Sequence, residues 1–171
     1  FTGLPYHGYN SIDSKKIGII GWGRGVGWLL IGIIDSLEYI PKKMFLYEYI
    51  EKKFIEIVKT TIKYQNSNGS FAWQILATEG YSDTSATSMI AYAIERAIRL
   101  KILDDSYRKN CYLALESILS YTKNGLIFGC SAECRGIGMY PQIYDTYPWS
   151  QGPATALAAL LEPHNSNKKF R

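Results

Sequence analysis

Apolar residues recur at three- and four-residue steps over most of the chain, which predicts a helical protein. The stretch 24–40, RGVGWLLIGIIDSLEYI, keeps that period until Pro41 ends it. Over 46–65, Tyr47, Ile50, Phe54, Ile57, Val58 and Ile62 make one face and Glu51, Lys52, Lys53, Glu56 and Lys59 the other, until NSNG stops the helix. Further helices are predicted over 82–100, opened by the capping residues Ser82 and Asp83, and over 104–122, capped by Asp104 or Asp105. A last one over 151–162 has Pro153 in its first turn, where helices tolerate it. SFAWQIL and LIFG read as short extended pieces.

Three of these segments share one design. GWGRGVGWLLIGIIDSLEYI, GYSDTSATSMIAYAIERAI and YPWSQGPATALAALLE each open on polar or glycine-rich residues near Gly25, Ser85 and Gly152, continue with small residues, and become an apolar helix. The first two are each followed by a more charged helix, a turn and an extended piece. That is a repeat of helical hairpins, with small-residue helices suited to an inner ring and charged helices to an outer one. The expected fold is all-α: a partial (α/α)6 toroid in one domain over 1–171, with short extended connectors and a polar tail at 163–171. Two and a half hairpins cannot close a ring, so another copy or another segment is expected to complete it.

Composition narrows the class. At 171 residues, 47% hydrophobic and 20% charged, the chain fits one globular domain. The longest apolar run, Trp28–Ile34, falls well short of the ~20 residues a membrane span needs. The net charge of +4 comes from scattered lysine pairs rather than one basic stripe, which argues against nucleic acid as a partner. Cys111 reads as a buried small hydrophobe, and Cys130 with Cys134 as reduced thiols, since there is no second cysteine pair and His7 and His164 lie far away in sequence. No metal or cofactor is expected, and the chain is placed in the cytoplasm.

Aromatic content is high, with fourteen tyrosines and four tryptophans. GWGRGVGW, at 21–28, sets Arg24 between Trp22 and Trp28 at the mouth of a helix, where the dipole and free N–H groups favour an anion. A guanidinium fork matches a carboxylate, the tryptophans suit a ring, and the glycines let a ligand approach the backbone. The stretch therefore suits a ring-shaped acidic ligand such as an acidic sugar. The competing reading pairs Arg24 with a structural carboxylate and places the tryptophans in the core. His7 falls at the same end and is either structural or functional. The loop 130–152 is long and aromatic for a connection; Tyr144, Tyr147, Trp149 and Gln151 either face the cleft or plug the ring. Asp13, Asp83 and Asp145 are the carboxylates at that end, with Asp83 read as a helix cap. Asp35 is read as making a structural hydrogen bond, and His164 as surface.

TGLPYHGYN, WGRGVGW running into LLIGIIDSLEYIP, YQNSNGSFAWQIL, YSDTSATSMIAYAIERAIRLKIL and YPWSQGPATALAALLE together resemble glycoside hydrolase family 105. That is the family of unsaturated rhamnogalacturonyl hydrolases, related to the unsaturated glucuronyl hydrolases of family 88. The resemblance runs from Gly3 to Glu162 and covers the C-terminal half of such a protein. It implies an (α/α)6 toroid that hydrates the double bond of a 4,5-unsaturated uronic acid, after which the product rearranges, opens and releases the next sugar. It implies an acidic oligosaccharide as partner and an aspartate as general acid and base. By motif, His7 matches a histidine lining the sugar site, Arg24 the arginine near the uronate, and Trp22 and Trp28 its aromatic walls; Trp149 and Gln151 are added from the loop. The family's catalytic aspartate lies upstream of TGLPYHGY, before Phe1, so whether this chain acts as an enzyme alone is left open. The alternative is a non-catalytic half-toroid that self-associates or binds acidic sugars. A third reading is a different toroid lyase or hydrolase, acting on saturated sugars.

Overall fold

A computed structural model describes residues 2–162, leaving the tail and His164 outside the described residues. Five helices dominate: α1 (Gly23–Tyr39), α2 (Tyr47–Thr61), α3 (Thr84–Arg99), α4 (Arg108–Ser120) and α5 (Pro148–Leu161). Helix α3 lies between α1 and α5, α2 packs on α1, and α4 packs on α3 and α5. The core gathers Leu30, Ile34, Phe54, Val58, Phe71, Ile75, Ile90, Ile94, Cys111, Ile118 and Leu157. No helix among the described residues is long and apolar enough to cross a membrane.

Not all of the chain is helical. An antiparallel hairpin joins β1 (Tyr6–Asn10) to β2 (Lys15–Ile20), with a register shift between Tyr6 and Gly8. The chain is mostly helical, as expected, but this hairpin is longer than the short extended connectors foreseen. Its turn runs through Ser14 at φ 56° rather than an Asn-Gly pair, and the shift breaks the alternation that marks a strand. Two shorter hairpins follow. The first pairs β3 (Thr122–Lys123) with β4 (Leu126–Ile127) across Asn124 and Gly125, both at positive φ. The second pairs β5 (Cys130–Ser131) with β6 (Tyr144–Asp145). Helix α5 begins at Pro148, earlier than expected, so Pro148 occupies the first turn and Pro153 lies inside the helix.

The small residues of α3 are there because the helix is enclosed. Ser85, Ala86, Ser88, Ala91, Ala93 and Ala97 are all buried, and α1 comes close enough that Gly23 and Gly27 are packing residues. A Cβ on Gly27 would lie 2.6 Å from that of Met89, and one on Gly23 2.7 Å from the Ala72 carbonyl and 2.8 Å from the Ala86 Cβ. These glycines therefore admit α3 rather than a ligand. Deeper along α3, buried Glu95 is held by Arg99 at 3.3 Å and Arg108 at 3.2 Å. Asp35 meets Arg96 as an ion pair at 3.4 Å, not through the hydrogen bond expected of it. Cys111, Cys130 and Cys134 are free thiols, and burial pushes Cys111 up to about 12.

One flank stays open. Trp28, Leu29, Gly32, Ile33, Ile40, Tyr49 and Ile50 line an apolar groove of about 480 Å³ on α1 and α2, and Tyr39, Phe45 and Met44 lie exposed.

Two glycines of α1, Gly27 and Gly32, separate packing from propensity. A Cβ on Gly32 meets nothing within 4 Å, so Gly32→Ala is expected to stabilise the chain by roughly 0.5–1 kcal/mol. Gly27→Ala gains the same propensity but forces Met89 aside, an overpacking that costs about 1–3 kcal/mol. Urea unfolding is expected to show Gly32→Ala raising and Gly27→Ala lowering the midpoint; a rise for both would refute the close α1–α3 contact.

Candidate functional site

The segment 70–75 ties the starts of α1 and α3 together. Gly23 donates to the Trp73 carbonyl at 2.7 Å, Ile75 to Gly21 at 2.7 Å, and Asp83 to Phe71 at 2.9 Å. Of the first-turn N–H groups expected to favour an anion at α1, that of Gly23 thus has a protein partner. At α3, Thr84 donates to the Gly129 carbonyl at 3.0 Å, and Ser85 to the side chain of Asp83 at 2.9 Å. The anion at that N-terminus is Asp83 itself, fully buried and acting as the cap, as its position in the sequence suggested.

Asp83 continues into β5. Its carboxylate accepts from the Ser131 hydroxyl at 2.6 Å and the Ser131 N–H at 3.2 Å. The Ser131 carbonyl in turn accepts from Arg24 Nη1 at 2.6 Å and from Trp149 Nε1 at 3.1 Å. Arg24 also donates to the Ser131 hydroxyl at 3.1 Å and to the Ala132 carbonyl at 2.7 Å. The first turns of α1, α3 and α5 therefore meet at one residue of a two-residue strand.

This corrects the role expected of the Arg24 fork. The residue is 4% exposed, and its terminal nitrogens hold backbone carbonyls rather than a free or structural carboxylate. Its guanidinium lies between the Trp22 ring at 5.1 Å and the Trp149 ring at 5.0 Å, and Tyr147 stacks on Trp149 at 4.8 Å. Trp22, Arg24, Trp28, Glu133, Cys134 and Trp149 line one cavity of about 190 Å³. Trp28 is 53% exposed and free to meet a ring.

The other side of Trp22 belongs to His7. The two rings lie 4.5 Å apart, and with Pro5, Tyr6, Gly25, Val26 and Leu29 they line a second cavity of about 130 Å³. A broader one of about 740 Å³ continues over the hairpin. Burial lowers the His7 pKa, which favours the neutral ring.

The remaining candidates stand apart. Gln151 donates to the Ile127 carbonyl at 2.9 Å and accepts from the Ile127 N–H at 3.3 Å, so its amide clamps β4 instead of facing the cavity. Asp13 pairs with Lys15 at 3.0 Å in the hairpin turn. Asp145 is exposed on β6 and accepts from the Thr146 N–H at 2.8 Å. Two residues that the sequence did not single out do reach the site: Glu133, a carboxylate that lines the same cavity as Arg24, and Tyr140, packed on His7 and Trp22. The aromatic richness of the 130–152 loop was the one signal for Tyr140; nothing local marked Glu133.

The sequence profile of Glycosyl Hydrolase Family 88 matches residues 1–164. The chain belongs to that family. A curated relative, protein Atu3128 from Agrobacterium fabrum, is 32% identical over 114 residues, covering 59% of this chain and 47% of its own. A possible GH105 family member from Salmonella enterica serovar Paratyphi A shares the fold with a TM-score of 0.83 at 24% identity, over 93% of this chain and 44% of that one. The unsaturated glucuronyl hydrolase from Bacillus sp. GL1, responsible for the degradation of glycosaminoglycan, has a TM-score of 0.61 at 18% identity, over 85% and 40%. The chain spans less than half the length of each of these relatives.

Because Ser131 joins two buried charges, its hydroxyl is expected to matter more than its size. Ser131→Ala leaves Asp83 and Arg24 each one hydrogen bond short, at a cost of about 1–3 kcal/mol. Ser120→Ala, which removes an exposed hydroxyl bonded to Ser117, is expected to stay within about 0.5 kcal/mol. Urea midpoints compare the two; equal losses would refute the central place given to Ser131.

Proposed function

We propose that this chain forms the sugar-binding wall of a glycosidase that acts on oligosaccharides ending in a 4,5-unsaturated uronic acid, rhamnogalacturonyl or glucuronyl. The observation that carries this reading is the Arg24 guanidinium, buried between Trp22 and Trp149 at the edge of a cavity that Trp28 leaves open. Membership of the family supports glycosidase chemistry, and the activity named for the Bacillus relative supports an unsaturated uronate. The helices would then be about half of an (α/α)6 toroid, with the starts of α1, α3 and α5 at its binding end.

In this reading Arg24 acts through its charge. Three of its hydrogens serve Ser131 and Ala132, and in a site walled by indoles the positive charge still favours a carboxylate more than it would in water. Trp22, Trp28 and Trp149 offer faces to sugar rings, and His7 offers a ring nitrogen from beyond Trp22. Hydration of the alkene adds a proton to C4 and the hydroxyl of water to C5. The resulting hemiketal opens and releases the next sugar. Asp83 is closed to that acid–base work, since its carboxylate is buried and engaged by Ser85 and Ser131. The proton donor is assigned to another part of the complete enzyme. The open α1–α2 groove supports association with that part or with a second copy. Three free thiols support a cytoplasmic setting.

Cys134 reports on the cavity directly, because it lines it. Cys130 and Cys111 are buried, with Cys130 pushed up to about 11 by burial, so a thiol reagent at pH 8 is expected to modify Cys134 first. An unsaturated galacturonyl-rhamnose disaccharide is expected to slow that reaction, and a saturated neutral disaccharide to leave it unchanged. Trp28→Ala is expected to weaken the protection about tenfold, the equivalent of ~1.4 kcal/mol of stacking. Equal protection by both sugars, or none by either, would refute an acidic-sugar wall. The ultraviolet absorbance of the unsaturated sugar is expected to persist with the chain alone; its decay would place the acid within these residues, with Glu133 the first to replace.

A further inference from the structure

Tyr140 belongs to the loop between β5 and β6 and lies 133 residues from His7 along the chain. Its hydroxyl oxygen stands 2.7 Å from His7 Nδ1 and 3.4 Å from the backbone nitrogen of Ile19. Its ring centroid is 5.5 Å from those of both His7 and Trp22 and 6.0 Å from that of Trp73. The strand beneath is shaped to admit it. Gly18 has φ 76°, and a Cβ there would lie 2.8 Å from the Tyr140 hydroxyl and 2.8 Å from the His7 Cβ. A loop side chain held at once by a strand, a histidine and two tryptophans is fixed in place.

The protons follow from these partners. The Ile19 N–H can only donate, so the hydroxyl oxygen accepts there. Among the described residues, Nδ1 of His7 is the acceptor within reach of Tyr140's own hydrogen. Nδ1 then carries a lone pair, and the neutral imidazole bears its hydrogen on Nε2. Burial of His7 works the same way by favouring the neutral ring. Nε2 makes no hydrogen bond to the described residues, while the ring lines the two cavities beside Trp22 and over the hairpin.

We infer that Tyr140 is a positioning residue of this site: it commits His7 to the Nε2–H form, so that His7 meets a ligand as a hydrogen-bond donor and not as a proton acceptor. The inference rests on the reading of His7 as part of the sugar wall and adds to it the direction of the hydrogen bond. A donor at Nε2 suits an oxygen of the sugar, whether carboxylate, hydroxyl or bridging. It removes His7 from the groups that take a proton from the attacking water, which leaves that step to a carboxylate.

The chain has two histidines, so a His164→Ala variant identifies the His7 ring in long-range ¹H–¹⁵N spectra. In the native chain, where the ring is neutral, Nδ1 is expected to show the shift of a bare nitrogen and Nε2 that of a protonated one. Tyr140→Phe keeps the ring packing and removes the hydroxyl. It is expected to move the two ¹⁵N shifts toward each other, as the second tautomer gains population, and to weaken binding of the unsaturated galacturonyl-rhamnose disaccharide several-fold. A protonated Nδ1 in the native chain, or unchanged ¹⁵N shifts in Tyr140→Phe, overturns the inference. If Nε2 is protonated as expected but saturating disaccharide leaves the His7 signals in place, the sugar-wall reading of His7 falls, and the ligand half of the inference with it.

Discussion

The structure depends on how two opposite charges are buried together without touching. Asp83 caps α3 and Arg24 stands in the first turn of α1, both out of water. A buried charge is tolerated only where hydrogen bonds replace its hydration. Ser131 provides them for both: its N–H and hydroxyl serve Asp83, and its carbonyl serves Arg24. The same carbonyl receives the Trp149 indole, so one residue sets the position of three helix starts. A loosened Ser131 would leave both charges short of partners, which makes the walls of the cavity stiff.

That arrangement needs α1 and α3 to lie close, and the close approach is a matter of small side chains. Gly23 and Gly27 on α1 face Ala86 and Met89 on α3. Bulk at either would push the helix starts apart, and the reach of Arg24 to Ser131 depends on their separation. The glycines that look, in sequence, like clearance for a ligand thus act one step earlier, by bringing the helices near enough to build the site. Trp22 then divides the space, with Arg24, Glu133 and Trp149 on one side and His7 on the other.

Much of this was legible along the chain and some of it could not have been. Helix α3 was readable because a long, strongly periodic segment with an Asp cap carries its own evidence. Helix α5 was misplaced at its start because Pro148 and Pro153 both look like first-turn prolines and only one is. The β1–β2 hairpin was missed because its irregular register hides the two-residue period. In the site, Trp22, Arg24 and Trp28 were visible as a cluster because they are neighbours in sequence. Gln151 was assigned to the ligand because a polar side chain at a helix start looks the same whether it faces a cavity or a strand.

By itself, then, the sequence determined the helices, the capping of α3 and the gathering of aromatic rings with a cation at the start of α1. These are local, since periodicity, capping and clustering are written within a few residues of one another. The tertiary structure alone decided where the Arg24 fork points, that Glu133 shares its cavity, and that Tyr140 governs His7. The physical reason is that the partners are remote or anonymous. The carbonyl that holds Arg24 is 107 residues away and identical in kind to every other carbonyl in the chain, and only folding brings that one within reach.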